Sequence, residues 1–140
     1  MEKYRFFRHT ADAKFQAFGK TLEETFGHAA LAVASLMWDW EKIVGRIEIT
    51  VTNEGKDLEQ LLVGFLEEIL YLLDTRNFVL GSVQDVSLEK KDGDWSLHAL
   101  FRGDWRTEGH EIFGNVKAIT YNEIVISDRP PFMVQVVVDI

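Results

Sequence analysis

The spacing of apolar and polar residues changes several times along the chain, and each change marks an element. Tyr4–His9 and Lys14–Phe18 are short aromatic-rich runs, which predicts two strands with Thr10–Ala13 between them and Gly19 ending the second. Thr21-Leu-Glu-Glu24 then has the spacing of a capping box, in which a hydroxyl accepts a first-turn amide and the glutamate reaches back. Leu22, Phe26, Ala29, Ala30, Val33 and Met37 follow at helical intervals, so a helix is expected to stop near Trp38–Trp40. Next, Arg46, Glu48, Thr50 and Thr52 alternate with Ile47, Ile49 and Val51, the pattern of a half-buried strand, with Asn53-Glu-Gly55 as its turn. Asp57 and Gln60 stand at N-cap and N3 spacing before Leu61, Leu62, Phe65, Leu66, Ile69, Leu70 and Leu73. That wide stripe predicts a second helix ending before Asn77 and lying on a sheet.

The rest of the chain reads as strands. Val79–Lys90 and Trp95–Arg102 flank Asp92-Gly93, a strong hairpin signal. Gly103–Asn115 is glycine-punctuated and reads as a loop. Val116–Ser127 and Phe132–Ile140 give two final strands joined through Asp128-Arg-Pro-Pro131. The order ββαβαββββ favours an α+β class, a two-layer sandwich with two helices packed on a mainly antiparallel sheet. A doubly wound nucleotide fold is disfavoured because regular βαβ alternation is missing. With no Gly/Ser-rich linker or internal repeat, residues 1–140 read as one domain.

Composition narrows the function. Lys and Arg number 15 against 23 Asp and Glu, for a formal charge of −8. Such a chain is poorly suited to hold bare nucleic acid, whose phosphates need a cationic surface. The absence of cysteine excludes disulfides, thiolate metal sites and thiol catalysis, and fits a reducing compartment. The N-terminus has no signal-like apolar region and no run approaches a membrane span, so the expectation is a soluble cytoplasmic domain. No P-loop, dinucleotide fingerprint, zincin motif or nucleophile elbow occurs.

A few residues stand out chemically. His9-Thr-Ala-Asp12 is a polar tetrapeptide between two aromatic strands, placed so that His9 and Asp12 can face the same side; its plainer reading is a turn bonded to local amides. The other histidines, His28, His98 and His110, are scattered. Asp139 adjoins the α-carboxylate of Ile140. Two such charges repel unless donors or a cation compensate, and a hard divalent ion with one further acid would do so; the alternative is a solvated end. Lys117 begins an otherwise apolar strand, and either meets an anionic group or snorkels to water. Lys90 and Lys91 read as edge protection, and Glu59, Glu67 and Glu68 as the wet face of the second helix. Trp38, Trp40 and Trp105 fit core or loop packing better than a partner surface.

Three segments together resemble the archease family: His9-Thr-Ala-Asp12 with Gly19 and the Thr21-Leu-Glu-Glu24 helix start, Lys117-Ala-Ile-Thr-Tyr121, and the terminal Val-Val-Asp139-Ile140. Gly55-Lys-Asp57 agrees, and the ordered set covers nearly the whole chain. The resemblance implies a small cytoplasmic α+β protein that is not itself an enzyme. It implies activation of an RtcB-type RNA-splicing ligase, by promoting guanylylation of the ligase histidine and multiple turnover. Some members are described instead as chaperone-like modulators of a tRNA cytosine methyltransferase. It further implies a metal site formed by Asp12, Asp139 and the Ile140 carboxylate, with His9 as an orienting neighbour and Lys117 near the carboxylates or a phosphate. Ligands that are all oxygen favour calcium, magnesium or manganese over zinc. Arg8, Asn122 and Phe113-Gly114 depart from the family pattern, where many members carry an acidic residue, a histidine and a more polar pair. An independent metal-dependent hydrolase is the weakest alternative, since no general base beyond His9 is evident.

Overall fold

The computed structural model describes residues 2–8 and 12–140. Strands β1 (Tyr4–Phe7) and β2 (Asp12–Gly19) pair antiparallel and lead into helix α1 (Leu22–Ser35). The capping box forms: Glu24 N donates to Thr21 Oγ1 at 3.0 Å, and Glu24 Oε1 accepts from Lys20 N at 3.1 Å. The glutamate therefore reaches one residue beyond the cap. Gly19 precedes it because the helix start crowds that position: a Cβ there would lie 2.7 Å from Thr25 N. Helix α1 ends at Ser35, and Met37 and Trp38 are buried by the turn that follows, with Trp38 Nε1 donating to Leu80 O at 2.8 Å.

Strand β3 (Ile47–Gly55) runs through the expected turn. Asn53 and Gly55 still pair with Leu97 and Trp95. Gly55 serves the approach of the next helix, since a Cβ would meet Leu61 N at 2.7 Å. Helix α2 (Leu58–Arg76) is capped by Asp57, whose Oδ1 accepts from Gln60 N at 2.8 Å, and closes at Asn77 in the left-handed region. Strands β4 (Phe78–Lys91) and β5 (Asp94–Trp105) form the expected hairpin, with positive φ at both Asp92 and Gly93.

The last third differs in detail. The expected Val116–Ser127 strand is two short ones, β6 (Ala118–Ile119) and β7 (Val125–Ser127), before β8 (Phe132–Asp139). Thr120 breaks the run: its hydroxyl donates to Val137 O at 2.7 Å and accepts from Asn122 N at 3.2 Å, which turns the chain.

Among the described residues all pairings are antiparallel, and the α+β class with two helices on antiparallel strands is what the chain adopts. The strands divide between two sheets, one ordered β1-β2-β8-β6 with β7 also on β8, the other β3-β5-β4. Helix α1 packs against both sheets and α2. That burial explains its alanines: Ala29, Ala30, Ala32 and Ala34 are fully buried where larger side chains would hold the layers apart. Phe26, Phe65 and Phe101 link α1, α2 and β5, with ring centroids 6.3 and 5.6 Å apart.

Candidate functional site

Strands β2 and β8 pair along their whole length, from Gly19 opposite Phe132 to Asp12 opposite Asp139. Asp12 is thus the first residue of a strand rather than part of a turn. Directly opposed residues share one face of the sheet, about 4.5–5.5 Å apart at Cβ. The two aspartates therefore meet at one end of the sheet, beside the exposed Ile140. Strand β6 closes the other side of β8: Ala118 lies opposite Asp139, and Lys117 N donates to Asp139 O at 2.7 Å. Asp12, Lys117, Asp139 and Ile140, dispersed in sequence, occupy one tip. His9 lies outside the described residues.

Like charges directly opposite each other are unfavourable in an antiparallel pair. Two residues along the same face, Lys14 Nζ bonds Glu123 Oε1 at 3.2 Å and stands 5.9 Å from the Phe7 ring centroid. Lys117 is exposed, and among the described residues its ammonium makes no ion pair. No group of three His, Cys, Asp or Glu side chains among the described residues is placed to hold a metal.

A second polar centre was not legible in the sequence. Asp104, at the end of β5, is only 1% exposed. It accepts from Trp105 N at 2.9 Å and bonds His110 Nε2 at 3.0 Å, with Arg46 Nε 3.6 Å away. The His110 hydrogen bond holds the Asp104 carboxyl below its ordinary range, outweighing burial, which acts the other way; the Trp105 amide and Arg46 add to the lowering. This bond secures the segment that leads to β6. The same segment is pressed against the end of α1, where Phe113 N donates to Met37 O at 2.9 Å and a Cβ on Gly114 would meet Leu36 O at 2.0 Å. The centre thus positions the chain that enters the tip. Its only sequence signal is a histidine six residues after an aspartate.

His28, Trp38 and Trp40 take structural roles. His28 Nδ1 lies 2.6 Å from Phe18 O, and since a carbonyl only accepts, that nitrogen carries the proton. Trp38 is core, and the half-buried Trp40 donates to Tyr4 Oη at 2.9 Å. Among the described residues no helix is long and apolar enough to cross a membrane.

Comparison with known proteins gives a consistent result. The model of the Archease protein family matches residues 4–140. A protein archease of Pyrococcus furiosus is 41% identical over 143 residues, covering 100% of both chains. One from Methanosarcina mazei is 39% identical over 141 residues, covering 99% of this chain and 97% of that one. The solution structure of Methanobacterium thermoautotrophicum protein 1598 superimposes with a TM-score of 0.84 at 33% identity, covering 100% of each chain.

Proposed function

The chain belongs to the archease family, and on that premise we propose that it is a non-catalytic protein cofactor of an RtcB-type RNA ligase. In this reading it promotes guanylylation of the ligase histidine and repeated turnover by presenting its carboxylate tip to the ligase. The observation that carries the proposal is the Asp12–Asp139 cross-strand pair at the end of the sheet next to Ile140. The charge of −8 supports docking on a basic protein over holding RNA directly.

The tip's donors are oxygens, which suits a hard divalent cation such as calcium, magnesium or manganese. Asp12, Asp139 and the Ile140 carboxylate would hold it, and an ion placed between opposed carboxylates would relieve their repulsion. A bound ion supplies neutralisation of phosphate charge. The chain's own residues supply the placement: β2 and β8 fix the aspartates, and the Lys117 amide fixes the main chain of Asp139. Lys117, with its ammonium exposed, stands beside them to meet a phosphate.

The test is ligase guanylylation and multiple-turnover RNA joining with a cognate ligase, with and without this protein. Stimulation by the wild type is expected, reduced at least about tenfold by Asp12→Ala and by Asp139→Ala while both variants stay folded. Calcium or manganese titration of the isolated protein should lose its binding signal in the same variants. Wild-type protein that leaves the ligase unchanged would sink this reading. It would favour a modulator of a tRNA methyltransferase, whose activity would depend on exposed aromatics such as Tyr71, Phe113 and Tyr121 and not on Asp12.

A further inference from the structure

A cleft of about 400 Å³ opens between helix α1 and strand β4, and none of the tip residues lines it. Its size lies in the range of built ligand sites, about 300–1,000 Å³. Its origin is a pair of irregularities in β4. The β4–β5 register shifts between Leu80 and Ser82 and again between Gln84 and Ser87. Gly81, Asp85 and Val86 are left out of the ladder, and all three line the cleft. Bulges of this kind re-aim side chains. Asp85 adopts φ 54°, a conformation few residue types accept and aspartate tolerates.

Helix α1 supplies the opposite wall through Glu23, Gly27 and Leu31, four residues apart and so on one face. Gly27 deepens it: a Cβ there would make ordinary contact with Val83 at 3.6 Å and Val86 at 3.9 Å, so the glycine leaves room that packing does not require. Trp40 lines one end, its indole N–H held by Tyr4 Oη at 2.9 Å. The lining is mainly apolar, with His28 and Ser82 as its uncharged polar side chains, while Glu23, Glu24 and Asp85 carry negative charge against one lysine, Lys3. Glu24 is engaged in capping α1. Among the described residues Glu23 and Asp85 make no ion pair.

An apolar slot with an aromatic wall and two uncommitted carboxylates at its mouth is complementary to one kind of side chain. A long aliphatic stem would lie on Leu31, Val83 and Val86, and a planar cation would reach the carboxylates and the indole. Arginine suits this better than lysine, because its planar fork binds a carboxylate bidentately and stacks on aromatic rings. We propose that this cleft is a docking socket for an arginine side chain of a protein partner. The proposal stands apart from the metal tip and does not require it.

The probe is the blocked tripeptide Gly-Arg-Gly, titrated into isotopically labelled full-length protein, with Gly-citrulline-Gly as the uncharged isostere and guanidinium chloride as the bare cation. Saturable shifts of the Gly27 and Gly81 amides and the Trp40 indole are expected, with millimolar affinity for so small a ligand. The citrulline peptide should bind about tenfold more weakly. The double variant Glu23→Gln/Asp85→Asn should weaken the arginine peptide about tenfold, and Gly27→Leu, which fills the slot with a good helix former, should abolish saturation. Lys3→Gln should tighten binding by about twofold or more. Citrulline and arginine peptides binding alike, guanidinium matching the peptide, or shifts confined to other acidic surfaces would each overturn the socket. The charge variant alters only surface groups, so a folding failure of Gly27→Leu leaves the test intact. Loss of ligase stimulation in Asp12→Ala with unchanged arginine binding would separate the two sites.

Discussion

Two carboxylate centres in this protein are built in opposite ways. Asp104 is buried, and the fold brings it its own partners: an imidazole, a guanidinium and a backbone amide. At the end of β2 and β8 the fold sets one aspartate opposite another, the half-buried Asp12 facing the exposed Asp139. The first arrangement favours folding, because a charge removed from water is compensated inside the protein. In the second, two like charges stand directly opposite each other across a ladder, a placement that by itself disfavours folding. A charge compensated internally has little left to offer a ligand. A pair that repels gains from any cation placed between its members. The difference predicts that substitutions at the two will move stability in opposite directions.

The largest stability effect is expected at the buried centre. Asp104→Ala strands the bonds from His110 and the Trp105 amide and should cost about 2–3 kcal/mol in chemical denaturation. A loss under about 0.5 kcal/mol would mean that the centre is no more structural than an exposed ion pair. The same contribution should depend on pH. The Asp104 carboxyl titrates in the folded protein below its ordinary value of 3.8. Its stabilisation is therefore fully present above that pH and is lost as pH falls through the lowered folded value. Denaturation of wild type and Asp104→Ala at pH 7 and at pH 3 should give a gap that narrows at the acid end. The smallest effect is expected at the tip. Asp139→Asn removes one of two opposed charges and should raise stability in chelator by about 0.2–1 kcal/mol. Added calcium should reverse the order by stabilising only the wild type. If Asp139→Asn destabilises the chelated protein, the two centres are alike and the contrast fails.

Much of this architecture is written in short stretches of sequence. Thr21 and Asp57 cap their helices through residues three positions on, and Asp92-Gly93 folds a hairpin from two residues that accept positive φ. Capping and turn formation involve neighbours within about four residues, so pattern suffices to read them. Where the expectation missed, a distant contact overrode a local signal. Gly55 reads as a turn residue but stays in the ladder opposite Trp95, and its lack of a Cβ admits the first turn of α2. Val116–Ser127 reads as one strand, but Thr120 spends its hydroxyl on Val137 O and bends the chain.

The site divides along the same line. The sequence by itself determined which groups were available: Asp12 and Asp139 near opposite ends of the chain, Lys117 between them, and no cysteine. It also determined the two helices and the hairpin. Only the tertiary structure decided that Asp12 faces Asp139, that Asp104 meets His110, and that two irregularities in β4 leave a cleft beside Gly27. Strand register is set by the packing of whole faces, since a slip of one residue would turn every side chain of β2 to the wrong side. No local stretch of sequence carries that information, because it resides in the sum of contacts that buries Phe15 and Val136 on one face and leaves the aspartates at the edge.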